Sequence, residues 1–199
     1  MTPPGPAAAT NADLYLHVRV IIGLVLGMSI TRLLSGLAKF VQHPGRQKVY
    51  LVHLGWAFSI LVLTIHFWWW EFRLNAVIMW TFPIYVFIVF YASLFYCLCV
   101  LLFPDEMGEY AGYEDYFLSR RRWFFGIFAL TFVVDFLDTW LKGIDYFATF
   151  GPEYFVRAGV YVVLCGIAMT VRNNAFHLAF VGLSLVYQLS WIFRMYDTV

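Results

Sequence analysis

Long runs of apolar residues alternate along the chain with short polar or turn-forming stretches. A helix needs roughly 20 apolar residues to cross the hydrocarbon core of a bilayer. The runs that reach this length predict six spans, at about residues 15–39, 49–71, 77–103, 122–142, 153–172 and 175–195. The stretches between them are too short for a second domain, so the pattern predicts an all-α, polytopic transmembrane bundle of six helices. We expect a flexible tail over residues 1–14 and a single transmembrane domain over residues 15–199.

The composition agrees with a membrane protein. The 199 residues are 62% hydrophobic, 21% aromatic and only 13% charged, whereas a soluble domain carries about 25% charged residues. The formal net charge of +1 gives no basic bias that would favour nucleic acid. The three cysteines all lie inside apolar runs and follow neither a disulfide nor a zinc spacing. We therefore expect the lipid bilayer as a partner, and neither a cofactor nor a metal.

Positively charged residues are distributed unevenly between the two ends of the predicted helices. Cytoplasmic loops of membrane proteins are enriched in Lys and Arg. The loops after the first, third and fifth spans hold the larger set: Lys39, Arg46, Lys48, Arg120, Arg121, Arg122 and Arg172. The opposite ends hold Arg73, Lys142 and Arg194, with Arg157 just inside the fifth span. This bias predicts that those three loops face the cytoplasm and that both termini lie on the external side.

The segment 105–121, between the third and fourth spans, is the one substantial polar stretch outside the predicted membrane. Its aromatic residues recur at helical spacing: Tyr110, Tyr113, Tyr116 and Phe117. Acidic residues precede a basic triplet, which is typical of a short amphipathic helix at the membrane surface. The candidate interfacial or partner-binding residues are Arg120, Arg121 and Arg122. They either anchor the segment near lipid headgroups or dock a partner protein.

The first and third spans differ in their polar content. Steps of four residues along the first span give Arg19, Gly23, Gly27, Thr31 and Ser35. Small residues let a neighbouring helix approach closely, and an arginine in hydrocarbon costs several kcal/mol unless protein or water surrounds it. We therefore expect this stripe, with Arg32 at its inner end, to face the interior of the bundle. The third span has no such stripe, which predicts that it faces lipid or another subunit.

Three other spans place polar residues at heptad-like spacing, which aligns them on one face of each helix. The seams are Trp56, Ser59, Leu63, His66 and Trp70 in the second span, Phe128, Thr131, Asp135, Asp138 and Lys142 in the fourth, and His177, Val181, Ser184, Gln188, Trp191 and Met195 in the sixth. Because polar faces avoid lipid, we expect the seams to meet inside the bundle. The adjoining run Trp68–Trp70, with Glu71 and Arg73, is expected to mark the outer headgroup level as an aromatic belt.

The polar residues of these spans define a candidate polar pathway. Its members are Arg19, Arg32, His66, Asp135, Asp138, Arg157 and Gln188. At about 1.5 Å per residue, most of them lie in the outer half of the membrane. We expect Arg19 or Arg157 to pair with Asp135 or Asp138, because an unpaired carboxylate at that depth takes up a proton. The cluster is either a proton or ion site that opens to the external side or a salt-bridge network that fixes the order of the helices.

The sequence carries no enzyme signature. It lacks an H-x-x-x-H cluster, a spacing suited to a Ser–His–Asp arrangement and a glycine-rich phosphate loop. An intramembrane hydrolase would need a second carboxylate at depth on another helix, whereas Asp135 and Asp138 share one span. Haem binding by His53 and His66 is disfavoured, because thirteen residues rotate a helix by about 220° and turn the two rings to different sides. We therefore expect the protein not to be an enzyme.

Four stretches of the chain resemble a known group of proteins: GLVLGMSITRLLSGLA, HLGWAFSILVLTIHFWWWEF, RRRWFFGIFAL and VRNNAFH. Together they are similar to a family of short, six-span bacterial inner-membrane proteins, with a likeness that runs from about residue 17 to 190. The resemblance implies a bacterial inner membrane. That family has no assigned activity, so no functional residue is carried over from it.

Two functions from different classes are compatible with these patterns. The first is a small transport protein that conducts protons, ions or a small solute through the candidate polar pathway. The second is a non-transporting scaffold or accessory subunit of a larger membrane complex, formed with a second copy of the chain or with another membrane protein. Transport predicts a hydrated cavity open to one side, whereas a scaffold predicts a dry and fully paired interior. Because buried charges are costly and commonly mark a pathway, the sequence favours transport.

Overall fold

A computed structural model describes residues 11–43, 45, 48–77 and 79–196, with the backbone alone for residues 11, 12, 195 and 196. Most of the predicted tail, Arg46 and the side chain of Met195 therefore lie outside the described residues. Within them the secondary structure is helical throughout. The helices are α1 (Asn11–Gln42), α2 (Leu51–Trp70), α3 (Phe82–Leu102), α4 (Tyr113–Leu141), α5 (Ile144–Ala148), α6 (Pro152–Thr170) and α7 (Asn174–Tyr196), and a 3₁₀ turn, Glu71–Ala76, follows α2.

Six of these helices are long and apolar enough to cross a membrane, namely α1, α2, α3, α4, α6 and α7. The predicted all-α, six-span architecture is therefore confirmed, and the chain is that of a multi-pass membrane protein. The short helix α5 and the 3₁₀ turn lie at the end of the bundle where α2 and α4 finish. We call this the outer end, and the opposite end, where α3 finishes and α4 begins, the inner end.

The fourth span differs from its prediction. It begins at Tyr113, not near residue 122, so no separate amphipathic helix precedes it. Tyr113, Tyr116 and Phe117 are buried against the bundle, and no helix-breaking residue separates them from the basic triplet. The aromatic face predicted to lie on the membrane surface is therefore the first part of a continuous helix that packs on the protein core.

The third span is central to the bundle, so the prediction that it faces lipid or another subunit is wrong. Helix α3 packs against α1, α4 and α2. The side chains of Ile88, Tyr91, Phe95 and Leu98 are all less than 4% exposed. A helix that is apolar on every side has no moment that distinguishes lipid from protein, so its sequence could not show which face is buried.

The first span is turned the opposite way from its prediction. Its buried face consists of large aliphatic residues, among them Ile22, Leu26 and Leu33, which pack on α3 and α2. The small stripe faces outward, since Thr31 and Ser35 are exposed. The hydroxyl of Thr31 donates to the Gly27 carbonyl oxygen of its own helix at 2.8 Å. This internal hydrogen bond satisfies the polar group and lets the stripe face outward at little cost.

An aromatic layer fills the inner half of the bundle. Trp56 is fully buried, and its ring meets four phenylalanine rings edge-on, with centroids 5.1–5.5 Å apart: Phe124, Phe125, Phe128 and Phe180. Edge-to-face packing of this kind joins α2, α4 and α7 tightly. The outer half is organised differently, around charged and hydroxyl side chains.

Candidate functional site

The polar seams of α2, α4 and α7 face the interior as predicted. Helix α6 packs mainly on α4, and α7 mainly on α2. These two consecutive helices are linked at the outer end by side chains such as Arg157, which lies over the ring of Trp191 at 4.5 Å. The result is a cleft between α2, α4, α6 and α7 that is lined by the seam residues.

Asp135 lies in the cleft and binds groups from two other helices. Its carboxylate accepts hydrogen bonds from the hydroxyls of Tyr91, at 3.2 Å, and Tyr154, at 2.8 Å. The guanidinium of Arg157 lies 3.7 Å from the same carboxylate. The predicted pairing of Arg157 with Asp135 is confirmed. The two tyrosines were missed, Tyr91 because α3 was expected to face outward.

Asp138 pairs with a lysine and not with either predicted arginine. The Lys142 ammonium lies 2.5 Å from Oδ2 of Asp138 and 2.8 Å from Oε1 of Glu71. All three side chains are at most 4% exposed. An arginine from α1 or α6 does not reach this position, whereas a lysine one helical turn beyond Asp138 is on the same face. We call Glu71, Asp138 and Lys142 the buried triad.

Glu71 was predicted to lie at the headgroup level, and that prediction is wrong. The residue is 4% exposed. Its position in the sequence carried a signal, because Glu71 continues the buried stripe Ile60, Thr64 and Phe67 of α2 at steps of four, three and four. The 3₁₀ turn keeps the backbone coiled for six more residues, so the stripe extends beyond the end of the helix and carries the carboxylate inward.

Lys142 follows the last residue of α4 and remains charged. Burial by itself would lower the pKa of its ammonium group, but the carboxylates of Glu71 and Asp138 outweigh burial and raise that pKa above its ordinary value. A raised pKa means that the ammonium form persists through the neutral range. The ring of Trp70 lies 5.8 Å from Nζ of Lys142, which adds a cation–π contact to the charge pairing.

A vestibule of about 920 Å³ opens at the outer end. It is bounded by aromatic rings from the 3₁₀ turn, α5, α6 and α7 and by a rim that includes Arg73, Glu153 and Arg194. Trp70 and Trp191 line both this vestibule and a deeper cavity of about 60 Å³. The deeper cavity is also lined by His66, Asp135 and Arg157. About 10–15 Å³ of such space holds one water molecule, so the deeper cavity has room for a few waters.

The cleft ends in a third, smaller cavity of about 30 Å³. Gln188 lines it, and its side chain bonds Ser59 on α2 twice, accepting from the hydroxyl at 3.0 Å and donating to the carbonyl oxygen at 3.3 Å. The aromatic layer around Trp56 lies beyond these residues. The polar route is therefore open toward the outer end and blocked by packed rings toward the inner end.

Two predicted members of the pathway lie elsewhere. Arg19 is exposed on α1, where its guanidinium stacks on the rings of Tyr15 and Phe72 at 5.5 and 5.3 Å. Arg32 lies near the inner end, where it binds Asp105 at 2.6 Å and the Phe103 carbonyl oxygen at 2.6 Å. Both belong to α1, whose outward rotation separates its polar face from the cleft.

The basic triplet has two roles in the structure. Arg120 and Arg122 are exposed at the inner end. Arg121 is buried and donates to the carbonyl oxygens of Leu118 and of Thr170, the last residue of α6. A cation at a helix C-terminus satisfies carbonyl groups that have no partner within the helix. Arg121 is thus an internal contact, and an interfacial role is left to its two neighbours.

The histidines of the inner half bind backbone atoms. Nε2 of His53 lies 2.6 Å from the Leu102 carbonyl oxygen, and Nε2 of His177 lies 3.0 Å from that of Val171. Within the part of the chain that the structure describes, no group of three or more His, Cys, Asp or Glu residues could hold a metal ion. His53 and His177 act as structural hydrogen-bonding residues that tie helix ends together.

Comparison with known proteins gives no relative for this arrangement: neither a family model, nor a curated protein, nor a solved structure matches the chain.

Proposed function

We propose that the protein is a membrane transport protein that conducts protons or small ions through the cleft between α2, α4, α6 and α7. The observation that carries the proposal is the continuity of the wide outer vestibule with the deeper cavity at Asp135 and Arg157. Binding sites of transporters lie within the membrane between helices and are built from ionisable groups. A salt-bridge network that served only to fix helix order would need no vestibule.

The size of the deeper cavity favours protons or small ions over a larger solute. It has room for a few water molecules and is bounded by large rings such as those of Trp70 and Trp191. Protons and monatomic ions need no more space than this, whereas an organic solute would require the rings to move. The aromatic layer below Gln188 makes this a state with access from one side, as alternating access requires.

The vestibule is proposed to face the external side of a bacterial inner membrane. Exposed basic residues, among them Lys39, Arg120 and Arg122, lie at the inner end of the bundle. Positively charged ends favour the cytoplasm, so the outer end and both termini are proposed to be external. The resemblance to short bacterial inner-membrane proteins supports the same setting.

The role of an accessory subunit is retained as the second candidate because of the outward stripe of α1. Gly23, Gly27, Thr31 and Ser35 border an open groove of about 580 Å³ together with Tyr96 of α3. Outward-facing small residues in a membrane helix permit close packing of another helix. The two candidates differ in the role of the cleft, which an accessory subunit does not use.

A flux measurement separates the two candidates. Purified protein is reconstituted into liposomes, and the flux of protons, alkali cations and chloride is measured between about pH 5 and pH 8. We expect the wild type to conduct at least one of these ions and Asp135→Asn to reduce that flux, because the variant removes the carboxylate that faces the deeper cavity.

The matched control is Asp145→Asn, which removes an exposed carboxylate of α5 at the same end of the bundle. This variant should conduct as the wild type does. Circular dichroism and size-exclusion chromatography establish that each variant is folded. If the wild type is impermeable to every ion tested, transport is excluded and the accessory role is the proposal that stands.

A further inference from the structure

The outer half of the bundle holds more carboxylates than cations. Its buried and half-buried acids are Glu71, Asp135 and Asp138, and the cations beside them are Lys142 and Arg157. Asp135 has its own arginine and two tyrosine hydroxyls. The unbalanced charge is therefore confined to the buried triad, in which two acids face one ammonium group. An uncompensated charge in such a place costs several kcal/mol.

Each acid of the triad also has one oxygen without a donor. Oε2 of Glu71 and Oδ1 of Asp138 are buried, and neither accepts a hydrogen bond within the described part of the chain. Their other oxygens both contact Nζ of Lys142, at 2.8 and 2.5 Å, so the two carboxyl groups are close neighbours. Ionised carboxylates are acceptors only. A single proton on either group would supply the missing donor and would also balance the charge.

From this geometry we infer that Glu71 and Asp138 bind one proton between them, opposite Lys142, and that this proton is the ion coupled to the cleft. The inference rests on the proposed function for its second part and deepens it by naming the transported or coupled species. Two neighbouring carboxyl groups that share one proton are a known way to avoid placing two negative charges side by side.

The groups that face the triad come from every element packed around it. They are Tyr91 of α3, Asp135 of α4, Tyr146 of α5, Tyr154 and Arg157 of α6, and Trp70 at the end of α2. Arg73 of the 3₁₀ turn stacks on Tyr146 at 5.1 Å. None of these adds a cation in direct contact with Glu71 or Asp138, so Lys142 alone opposes both acids.

The position of Trp70 connects the triad to the cleft. Its ring lies over Lys142 and also lines both the vestibule and the deeper cavity. When the proton leaves, the triad gains a net negative charge, and the ammonium group is drawn more strongly to the acids and away from the ring. The loss of a proton therefore acts on the residue that separates the vestibule from the deeper cavity.

Infrared spectroscopy tests the shared proton without any flux. A protonated carboxylic acid has a carbonyl stretching band that an ionised carboxylate lacks, and exchange into D₂O shifts that band. We expect the folded wild type at neutral pH to show the band of one acid per chain. Glu71→Gln and Asp138→Asn should each abolish it, because either variant leaves one carboxylate opposite one ammonium group and no reason to keep the proton.

Asp135→Asn is the matched control, since it removes a carboxyl group beside the triad and should leave the band in place. Absence of the band in the wild type would overturn the inference, as would its survival in both triad variants. Because the spectrum is recorded without a gradient, this outcome is distinct from the flux result. A protein that conducts without the band refutes the shared proton alone, and a protein with the band that conducts nothing refutes transport alone.

Discussion

The outer and inner halves of the bundle treat buried polar groups in opposite ways, although α2, α4 and α7 contribute to both. In the inner half, His53 and His177 bind backbone carbonyl oxygens at helix ends, and the space around Trp56 is filled by rings. In the outer half, charged side chains bind one another, and two carboxylate oxygens have no donor within the described residues.

The difference separates polar residues that hold the fold together from polar residues that are available for function. A histidine bonded to a carbonyl oxygen replaces a missing partner of the backbone and needs nothing else. A surplus carboxylate beside a water-sized cavity lowers stability unless a proton or cation accompanies it. Burial of a polar group is therefore common to both halves, and only the outer half has buried charge in excess.

The largest expected effect follows from removing the cation of the triad. Lys142→Met leaves Glu71 and Asp138 buried with no opposing charge, and loss of one partner from a buried ion pair costs about 3–5 kcal/mol. We expect the free energy of unfolding in detergent, followed by circular dichroism, to fall by that amount. Combining Lys142→Met with Glu71→Gln and Asp138→Asn should recover much of the loss, because neutral groups no longer need the ammonium.

Lys39→Met is the control for this prediction, because Lys39 is exposed in the last turn of α1. Its stability should match that of the wild type. If Lys142→Met is as stable as Lys39→Met, the triad is hydrated or already neutral, and the contrast between the two halves is lost.

The sequence predicted those parts of this contrast that depend on periodicity. Six apolar runs were sufficient to find six spans, and heptad-like spacing identified the seams that line the cleft and the contact of Arg157 with Asp135. Both results follow because charged groups avoid lipid.

Other features could not be predicted, because apolarity does not distinguish lipid from protein. Lipid tails are as apolar as leucine, so nothing in the sequence of α3 showed that it is central or that Tyr91 binds Asp135. The stripe on α1 was assigned to the interior for its small residues, although Thr31 satisfies its hydroxyl within its own helix. Glu71 was assigned to the headgroup level because the length of an apolar run does not show how far a 3₁₀ turn continues it.

A smaller effect is expected from the inner half. His53→Phe preserves the stacking on Tyr113, where the centroids are 4.5 Å apart, and removes the hydrogen bond to Leu102. A buried carbonyl oxygen without its donor costs about 1–3 kcal/mol, so the unfolding free energy should fall by this amount while ion flux per folded molecule is unchanged. His43→Phe, at an exposed position after α1, should alter neither quantity. A loss of flux in His53→Phe would mean that the route continues through the inner half.

The smallest effect on stability is expected at the rim of the vestibule, where the charges are exposed. Arg194 binds both carboxylate oxygens of Glu153, at 3.0 and 2.6 Å, and the hydroxyl of Tyr187 donates to the same carboxylate. Both members of the pair are about half exposed, so Arg194→Gln should leave the unfolding midpoint unchanged. The variant leaves Glu153 uncompensated at the mouth, and a negative rim raises the local concentration of protons and cations. Their flux at low ionic strength should therefore rise, and the difference should fade near 0.15 M salt, where the screening length is about 8 Å. Glu153→Gln is the matched opposite, because it leaves the positive charge of Arg194 at the same place and should lower the flux. If both variants change the flux in the same direction, or if salt has no influence, ions do not enter through the vestibule.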